Sequence, residues 1–317
     1  MNTLNEIASY LKKNNNYYII VHKNPDGDCL GCAKALCLAL KNMGKNAKII
    51  LPNPQSPRHD FFWDANLENG DFTPECAVCV DVASISQMGP AYESHFQKIP
   101  ASVCIDHHGT NEGFADLNYV DAKSAACGEI IFELLKELGA ELNCSIAEAL
   151  LVAIADDTGS FQYSNTSSKT HSIVSSLYEV IPNPEPVMRA LYGTHTRQEI
   201  DVLKEIVSSI EYHFDGKACF MFANLEVIKK IGADPSNVDA WVGLPRSVKG
   251  VEVAAVFKIH SENEVKVSFR SNDYVDVSSL AAKFGGGGHV RAAGATFFES
   301  VDKAKEKILK ELEKVIQ

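Results

Sequence analysis

The stretch YYIIVHKNPDGD at residues 17–28 joins a short apolar run to a histidine and two aspartates. Three later stretches resemble it, namely CAVCVD at 76–81, SVCIDHH at 102–108 and LLVAIADD at 150–157. Short continuous apolar runs are typical of strands buried on both faces of a parallel sheet, which binds ligands beyond the carboxyl ends of its strands. The pattern therefore predicts an α/β fold in which four strand ends bring charged residues to one site.

The residues expected at that site are carboxylates and imidazoles, which would repel or hold protons unless cations lay among them. They are His22, Asp26, Asp28, Asp81, Asp106, His107, His108, Asp156 and Asp157. Such ligands, with no obligatory thiolate, suit a moderately hard divalent ion, so we expect manganese and leave magnesium, cobalt, iron and zinc open. Six or more ligands indicate two ions, and a pair about 3.5–4 Å apart would activate a hydroxide and clamp a phosphoryl group during in-line displacement. The sequence therefore predicts phosphoester hydrolysis.

The segments HKNPDGD, VDVAS, IDHHGTN and ADDTGSF resemble, in order and spacing, the four motifs of the DHH phosphoesterase family. Residues 267–296, VSFRSNDYVDVSSLAAKFGGGGHVRAAGAT, resemble the signature of the DHHA1 substrate-binding domain. Together with the alternation of strands and helices, this resemblance implies a parallel-sheet DHH domain with helices on both faces and a smaller α/β DHHA1 domain. The active site is expected in the cleft between them.

Carried over residue by residue, the resemblance implies two metal sites that share Asp81. One ion would be held by His22, Asp26 and Asp81, and the other by Asp28, Asp81, His107 and Asp157. Asp157 is preferred to Asp156 because the family places its ligand directly before Thr158 and Gly159, which leaves Asp156 as an additional acid of open role. The resemblance further implies that Asp106 orients a histidine ring and that His108 contacts the scissile phosphate or its leaving group.

Three prolines in IPNPEP at 181–186 break regular structure and indicate a domain boundary. We expect the DHH catalytic domain over 1–185, a helical linker over 186–214 and the DHHA1 domain over 215–317. Within the latter, CFMFANLE, VEVAAVFKI and VKVSFR are typical of strands, and SVDKAKEKILKELEKVI is typical of a final helix.

The alternation in VKVSFR places Val265, Val267 and Phe269 on one face of a strand and Ser268 and Arg270 on the other. Four glycines at 285–288 would let backbone N–H groups approach an anion closely, although a glycine run alone is a weak signal. The resemblance implies that Arg270 pairs with a terminal phosphate of the substrate and that His289 contacts the phosphate or stacks on a base. The other candidates for substrate binding are Ser268, Gly286, Gly287, Gly288 and Arg291.

The resemblance is to stand-alone DHH/DHHA1 phosphodiesterases and implies hydrolysis of short nucleotide substrates, namely nanoRNA, pApA or pAp, to mononucleotides. One rival is a manganese-dependent inorganic pyrophosphatase or exopolyphosphatase, against which the GGGGH segment argues. A second rival is a non-catalytic nucleotide-binding sensor. The sequence leaves open the preferred substrate, the polarity of cleavage and the formation of a homodimer.

A formal net charge of −11 argues against binding of long nucleic acid, which depends on many contacts between cations and phosphates. No segment approaches the roughly 20 apolar residues of a membrane span, and the N-terminus lacks the features of a signal peptide, so we expect a cytoplasmic protein. The nine cysteines are expected to be buried and reduced, with Cys76 and Cys79 on opposite faces of a strand. Cys29, beside Asp28, could make the protein sensitive to oxidation.

Overall fold

The computed structural model describes residues 1–89 and 96–316, without the side chains of Pro57 and His289. By compactness the chain divides into two units, Met1–Thr194 and His195–Gln317. The first contains a five-stranded parallel sheet and the second a six-stranded mixed sheet. The predicted α/β fold class is therefore confirmed.

The first unit orders its strands β2-β1-β3-β4-β5. The strands are β1 Asn16–Ile20, β2 Asn46–Ile50, β3 Cys76–Val80, β4 Ala101–Asp106 and β5 Leu117–Val120. The α-helices are α1 Leu4–Lys13, α2 Gly27–Asn42, α3 Cys127–Leu138, α4 Cys144–Asp157, α5 Ser168–Val180 and α6 Glu185–Met188. Short 3₁₀-helices lie at Pro57–His59, Ala65–Glu68 and Ile85–Met88, and a π-helix lies at Arg189–Gly193.

The apolar runs of β1, β3 and β4 form the centre of this sheet and are almost wholly buried. Helices α1 to α5 cover one face and share with it the largest hydrophobic core. A smaller cluster covers the opposite face, where the helical element among the described residues is the 3₁₀-helix Ile85–Met88. Cys76 belongs to the first core and Cys79 to the second, so the predicted opposite orientation of these two thiols is confirmed.

The fourth apolar run was expected to be a strand, and this prediction is wrong. Residues 150–157 form the last part of helix α4, which begins after the cap Asn143 and is buried on every side from Ala149 to Ala155. A run buried all round has the same apolar composition in a helix and in a central strand, so periodicity does not separate the two. Close packing explains the small residues here, because a Cβ atom at Gly31 of α2 would lie 2.4 Å from the carbonyl oxygen of Ala149.

The second unit orders its strands β10-β11-β9-β8-β7-β6, with β7 and β8 parallel and the other neighbours antiparallel. The strands are β6 Glu211–His213, β7 Ala218–Asn224, β8 Val253–Ser261, β9 Glu264–Ser271, β10 Gly287–His289 and β11 Ala292–Phe297. The α-helices are α7 Arg197–Val207, α8 Leu225–Lys230, α9 Val277–Ala282 and α10 Val301–Leu312, and 3₁₀-helices lie at Pro235–Trp241 and Leu244–Ser247.

The second unit has its own core, to which β9 contributes one face. Val265, Val267 and Phe269 are fully buried there, and the intervening side chains are at least partly exposed, as the alternation predicted. Helix α7 lies in the range predicted as a linker and buries Val202 and Ile206 against β7 and β8. The division at residue 194 falls between the predicted boundaries at 185 and 215, which stay predictions. None of the helices in the described ranges combines the length and apolar composition needed to cross a bilayer.

Candidate metal centre

The central residues of the site lie at or just after the carboxyl ends of three neighbouring parallel strands. β3 ends directly before Asp81, β4 ends at Asp106 directly before His107, and β1 ends two residues before His22. Because β1, β3 and β4 are adjacent and parallel, these residues meet at one edge of the sheet. Asp81 has a left-handed backbone with φ of 56°, a conformation that aspartate tolerates better than most residues and that often marks a functional position.

Two aspartates come from the start of α2. Asp26 caps the helix by accepting a hydrogen bond from the Cys29 N–H at 3.0 Å. Asp28 is fully buried and accepts hydrogen bonds from the N–H groups of Cys127 at 2.6 Å and Gly128 at 2.9 Å. These N–H groups belong to the first turn of α3, where unpaired amides and the helix dipole favour a carboxylate. Helix α3 therefore fixes Asp28 in its orientation.

His107 lies among three carboxylates. Its Nε2 is 3.1 Å from Asp157 Oδ2, 3.5 Å from Asp81 Oδ1 and 3.9 Å from Asp28 Oδ2. Its Nδ1 lies 3.3 Å from the carbonyl oxygen of Ser124, to which a protonated Nδ1 can donate. The carbonyl thus holds a proton on Nδ1 and leaves Nε2 as the nitrogen that can bind a metal ion once the ion displaces the proton shared with Asp157.

Asp81 extends the cluster to a second set of ligands. Its Oδ2 is 4.0 Å from His22 Nε2, which is also 4.0 Å from Asp26 Oδ1. The two oxygens of Asp81 therefore face different histidines, His107 on one side and His22 on the other. Asp81 is therefore part of two sets of side chains whose ligand atoms lie close enough to share one ion. One set contains His22 and Cys29, and the other contains His107 and His108.

Cys29 lies close to this cluster but is a poor ligand for a hard ion. Its Sγ is fully buried and donates to the carbonyl oxygen of Val80 at 3.4 Å. Burial and the charge of Asp81 raise the pKa of the thiol well above its ordinary value, so the reactive thiolate is disfavoured. These features argue against the expected oxidation of Cys29.

The next histidine, His108, is held by Asp106. Its Nδ1 donates to Asp106 Oδ1 at 2.7 Å, and Asp106 Oδ2 accepts a hydrogen bond from Asn111 Nδ2 at 2.7 Å. The His107 N–H also donates to Asp106 Oδ1 at 2.8 Å. These hydrogen bonds hold the pKa of Asp106 below its usual range although burial alone would raise it. Asp106 is thus an ionised anchor for the His108 ring.

The electrostatics of the cluster fit divalent cations. Burial raises the pKa of Asp28 and of Asp81 well above the ordinary aspartate value, and the neighbouring carboxylates raise both further. Among the described residues, Asp81 Oδ1 has no hydrogen-bond donor although it is buried. Burial and the charge of His108 lower the pKa of His22 to about 4, which keeps its ring neutral as a ligand requires. A cation would supply both the missing partner of Asp81 and the missing positive charge.

The first acid of the ADD sequence, Asp156, points away from His107. Asp156 Oδ2 accepts a hydrogen bond from the Gly27 N–H at 2.8 Å, whereas Asp157 is the acid next to His107. Of the predicted ligands, His22, Asp26, Asp28, Asp81, His107 and Asp157 lie at one cluster, with His108 beside them.

The candidates for substrate binding lie in the second unit. Ser268 and Arg270 are on the partly exposed face of β9, and Arg270 Nη1 donates to the carbonyl oxygen of Phe269 at 2.9 Å. The guanidinium of Arg291 donates to the carbonyl oxygens of Val275, at 2.8 Å, and Asp273, so it braces the loop after β9. The side chain of His289 lies outside the described part of the structure.

Two of the four glycines, Gly286 and Gly288, are required by close packing against β11. A Cβ atom at Gly286 would lie 2.1 Å from the carbonyl oxygen of Gly294, and one at Gly288 would lie 2.5 Å from that of Ala292. The Gly286 N–H donates to the carbonyl oxygen of Ala281, so it is not directed at a ligand. A Cβ atom at Gly285 or at Gly287 would meet open space, so the surroundings of these two glycines leave room for a phosphate.

Comparison with known proteins identifies the family. A model described as "DHH family, N-terminal domain" matches residues 16–154, and a DHHA1 domain model matches residues 202–317. A bifunctional oligoribonuclease and PAP phosphatase NrnA of Thermus thermophilus is 31% identical over 92% of this chain and 87% of its own length. The chain belongs to the DHH family. The resemblance found in the sequence is confirmed, and with it the expectation of a phosphoester hydrolase.

Solved structures show the same fold. This DHH protein matches an exopolyphosphatase-related protein of Bacteroides fragilis with a TM-score of 0.90 at 21% identity, over 98% of this chain and 95% of the other. It matches an exonuclease RecJ bound to manganese with a TM-score of 0.52 at 14% identity, over 97% and 94% of the two chains. At these identities the matches support the fold and carry no assignment of activity.

Several residues that support the DHH site were missed by the sequence reasoning. Asn111 lies within the quoted IDHHGTN segment, yet nothing in the sequence connects its amide to Asp106. The N–H groups of Cys127 and Gly128 could have been found, because CGEIIFELLKEL at 127–138 has the apolar spacing of a helix and a carboxylate is stabilised at the start of a helix. Asn165, which donates to the carbonyl oxygens of Asp157 and Ala125, gives no signal in the sequence.

Proposed function

We propose that this DHH protein is a metal-dependent phosphodiesterase and phosphatase that hydrolyses short nucleotide substrates to mononucleotides. The observation that carries the proposal is the position of Asp81, whose two oxygens face two separate groups of ligands at one edge of the sheet. Such an arrangement suits two ions that share one carboxylate. The NrnA relative, which is an oligoribonuclease and PAP phosphatase, supports the substrate class.

We assign His22, Asp26 and Asp81 to one ion and Asp28, Asp81, His107 and Asp157 to the other. The mixture of carboxylate and imidazole favours manganese, the metal bound by the RecJ structure of the same fold. When bound, the two ions would activate water and neutralise charge on the phosphoryl oxygens. The protein residues would then bind and orient the substrate around them.

The proposal also assigns a role to His108. Because its Nδ1 donates to Asp106, the ring would meet the scissile phosphate or its leaving oxygen through Nε2. The carboxylate of Asp106 would hold the ring so that its Nε2 faces the developing negative charge. Asp106 is therefore a positioning residue and His108 the catalytic one.

The DHHA1 domain would hold the terminal phosphate of the substrate. Arg270 supplies a guanidinium, which matches phosphate geometry, and Ser268 supplies a hydroxyl on the same face of β9. Gly287 would allow a phosphate to approach the backbone, and His289 and Arg291 complete the proposed set. The two domains would close around the substrate and exclude bulk water.

The test is product formation by the purified protein with manganese. The substrates are pAp, pApA, RNAs from dinucleotide to pentanucleotide, pyrophosphate, polyphosphate and bis(p-nitrophenyl) phosphate. Release of AMP from the nucleotides, with pyrophosphate and polyphosphate intact, is expected, and the relative rates rank the substrates. Hydrolysis of pyrophosphate or polyphosphate alone would favour the inorganic phosphatase, and turnover of none would contradict the proposed function.

A further inference from the structure

The two adjacent acids at the end of α4 have different partners. Asp157 lies against His107, with 3.1 Å between Asp157 Oδ2 and His107 Nε2. Asp156 turns toward α2, where its Oδ2 accepts the Gly27 N–H at 2.8 Å. Gly27 is the residue between Asp26 and Asp28, which we assign as ligands of different ions. The contact of Asp156 therefore reaches the chain between two proposed ligands.

This contact is tight enough to require glycine. A Cβ atom at position 27 would lie 2.7 Å from both Cγ and Oδ2 of Asp156, which is closer than packed atoms approach. Gly27 is also buried. Without the Asp156 side chain, bulk water could reach the Gly27 N–H only if the surrounding chain moved. The backbone of the Asp26–Asp28 segment is thus packed directly on the Asp156 carboxylate.

The other oxygen of Asp156 faces a cation. Arg58 Nη2 lies 3.7 Å from Asp156 Oδ1 and donates to the carbonyl oxygen of Leu191 at 3.1 Å. The guanidinium carbon lies 5.4 Å from the centre of the Tyr192 ring. Tyr192 in turn donates from its hydroxyl to the carbonyl oxygen of Ala155 at 2.7 Å. These contacts fix Arg58 beside Asp156 and tie the π-helix to the end of α4.

The charge of Asp156 would otherwise add to a crowded cluster of carboxylates. Asp26, Asp28, Asp81 and Asp157 already lie together, and a fifth anion without a partner would disfavour their ionised forms. Arg58 offsets that charge, and both Asp156 oxygens have partners that are not metal ligands. Asp156 can therefore lie next to the centre without competing for an ion.

We propose that Asp156 is a positioning residue that sets the backbone between Asp26 and Asp28 for metal binding, with Arg58 as its counter-charge. The inference rests on the proposed function only in the assignment of Asp26 and Asp28 as ligands. It gives a role to the additional acid that the family resemblance leaves unassigned, and it makes the loop before β3 part of the support of the metal centre.

The test compares manganese binding to the full-length wild type and two variants by calorimetry, with no substrate present. Asp156→Ala removes the acceptor of the Gly27 N–H, and we expect two ions still to bind but about 10- to 100-fold more weakly, as is typical when a group supporting metal ligands is lost. Asp156→Asn keeps a side-chain oxygen that can accept this N–H, and we expect it to restore affinity to within a few-fold of wild type. Glu179→Ala, at an exposed acid of α5, is the control and should bind as wild type does.

Two results would overturn the proposal. Loss of one ion from the stoichiometry in both Asp156 variants would show that Asp156 is itself a ligand. Unchanged affinity in Asp156→Ala would show that the contact with Gly27 has no effect on the centre. Should Asp156→Ala fail to fold, Asp156→Asn decides, since a large loss of affinity there contradicts the positioning role. Because no substrate is used, failure of the proposed function is seen separately, as two bound ions without turnover of any nucleotide.

Discussion

Asp81 combines a left-handed backbone, complete burial and two oxygens that face different histidines. Asparagine also tolerates this backbone conformation, so Asp81→Asn should keep the fold while removing the shared charge. We expect the variant to lose turnover of every substrate and to lose the thermal stabilisation by manganese. In the wild type that stabilisation should reach about 2.7 kcal/mol when the free ion exceeds its Kd by about 100-fold.

The measurement is a pair of melting curves, with and without manganese, for wild type and Asp81→Asn. The metal-free variant should melt no lower than metal-free wild type, because burial makes the ionised Asp81 costly when no cation is present. Full activity in Asp81→Asn would contradict the assignment of two ions sharing this residue.

Protonation of the metal-free centre predicts a pH dependence. Burial alone would lower the pKa of His107, but the hydrogen bond with Asp157 and the charge of Asp28 outweigh it and raise the pKa to about 10. A raised pKa stabilises the metal-free fold fully below the ordinary value near 6.5, and this contribution is lost as pH rises toward 10. A metal ion must displace this proton, so manganese should bind more tightly at pH 8 than at pH 6 and release protons.

Calorimetric titrations in two buffers of different ionisation enthalpy would count the released protons. Release of a proton at both pH 6 and pH 8 agrees with a protonated His107 in the metal-free protein. An affinity that is constant from pH 6 to pH 8 would contradict it.

Arg270 belongs to the proposed phosphate site, remote from the metal ligands in sequence. Arg270→Ala should raise KM by roughly 10- to 100-fold with a smaller change in kcat, since hydrogen bonds to charged groups contribute about 1.5–3 kcal/mol. Steady-state kinetics on pApA measures the changes in KM and in kcat separately. Lys266→Ala, which removes an exposed cation from the same strand, is the control and should leave KM within about threefold of wild type. A loss confined to kcat would place Arg270 elsewhere in the reaction.

At the scale of elements, helices α2, α3 and α4 pack closely enough to place Asp28 and Asp157 in one cluster. A Cβ atom at Gly31 of α2 would meet the backbone of Ala149, and one at Gly128 of α3 would lie 2.7 Å from the Ala153 Cβ atom. The spacing of these helices therefore depends on small residues at their contacts.

Gly31→Ala should destabilise the protein by about 1–3 kcal/mol through overpacking, even though alanine favours helix formation over glycine by about 1 kcal/mol. Urea unfolding followed by circular dichroism measures the free energy change. Ser172→Ala, at an exposed position of α5, is the matched control and should change stability by less than about 0.5 kcal/mol. Stabilisation by Gly31→Ala would show that α2 and α4 can separate at little cost.

The same elements show what the sequence could and could not predict. β1, β3 and β4 were predictable because apolar runs followed by histidine or aspartate are buried strands here, and their ends predicted the positions of Asp81 and His107. The run at 150–155 has the same apolar composition but forms a helix. Its packing on α2 distinguishes it from the strands, and this packing cannot be read from composition. The partners of Asp156 were equally hidden, since Gly27 and Arg58 lie far from it in sequence and only tertiary packing brings them together.

On the scale of the whole molecule, each unit has its own hydrophobic core, and all proposed metal ligands belong to the first. The two tryptophans are divided between the units, with Trp63 in the first and Trp241 in the second. Manganese should therefore stabilise chiefly the unit that contains Trp63, by roughly 5–10 °C when the ion is well above its Kd.

Two variants, each followed by tryptophan fluorescence, report the melting temperature of each unit within the full chain. Trp241→Phe retains Trp63 in the first unit, and Trp63→Phe retains Trp241 in the second. We expect the larger shift with manganese in the variant that keeps Trp63. A shift seen only in the variant that keeps Trp241 would indicate that the ions bind to the second unit, and it would contradict the proposed ligands.

All nine cysteines are free thiols, and Cys144 is the one that is not buried. It starts α4, the helix whose last two residues are Asp156 and Asp157. A maleimide dye should therefore attach at this single native position without mutagenesis. Cys144 lies about three and a half helical turns from Asp157 along this helix. A dye attached there could therefore report ion binding by a change in fluorescence.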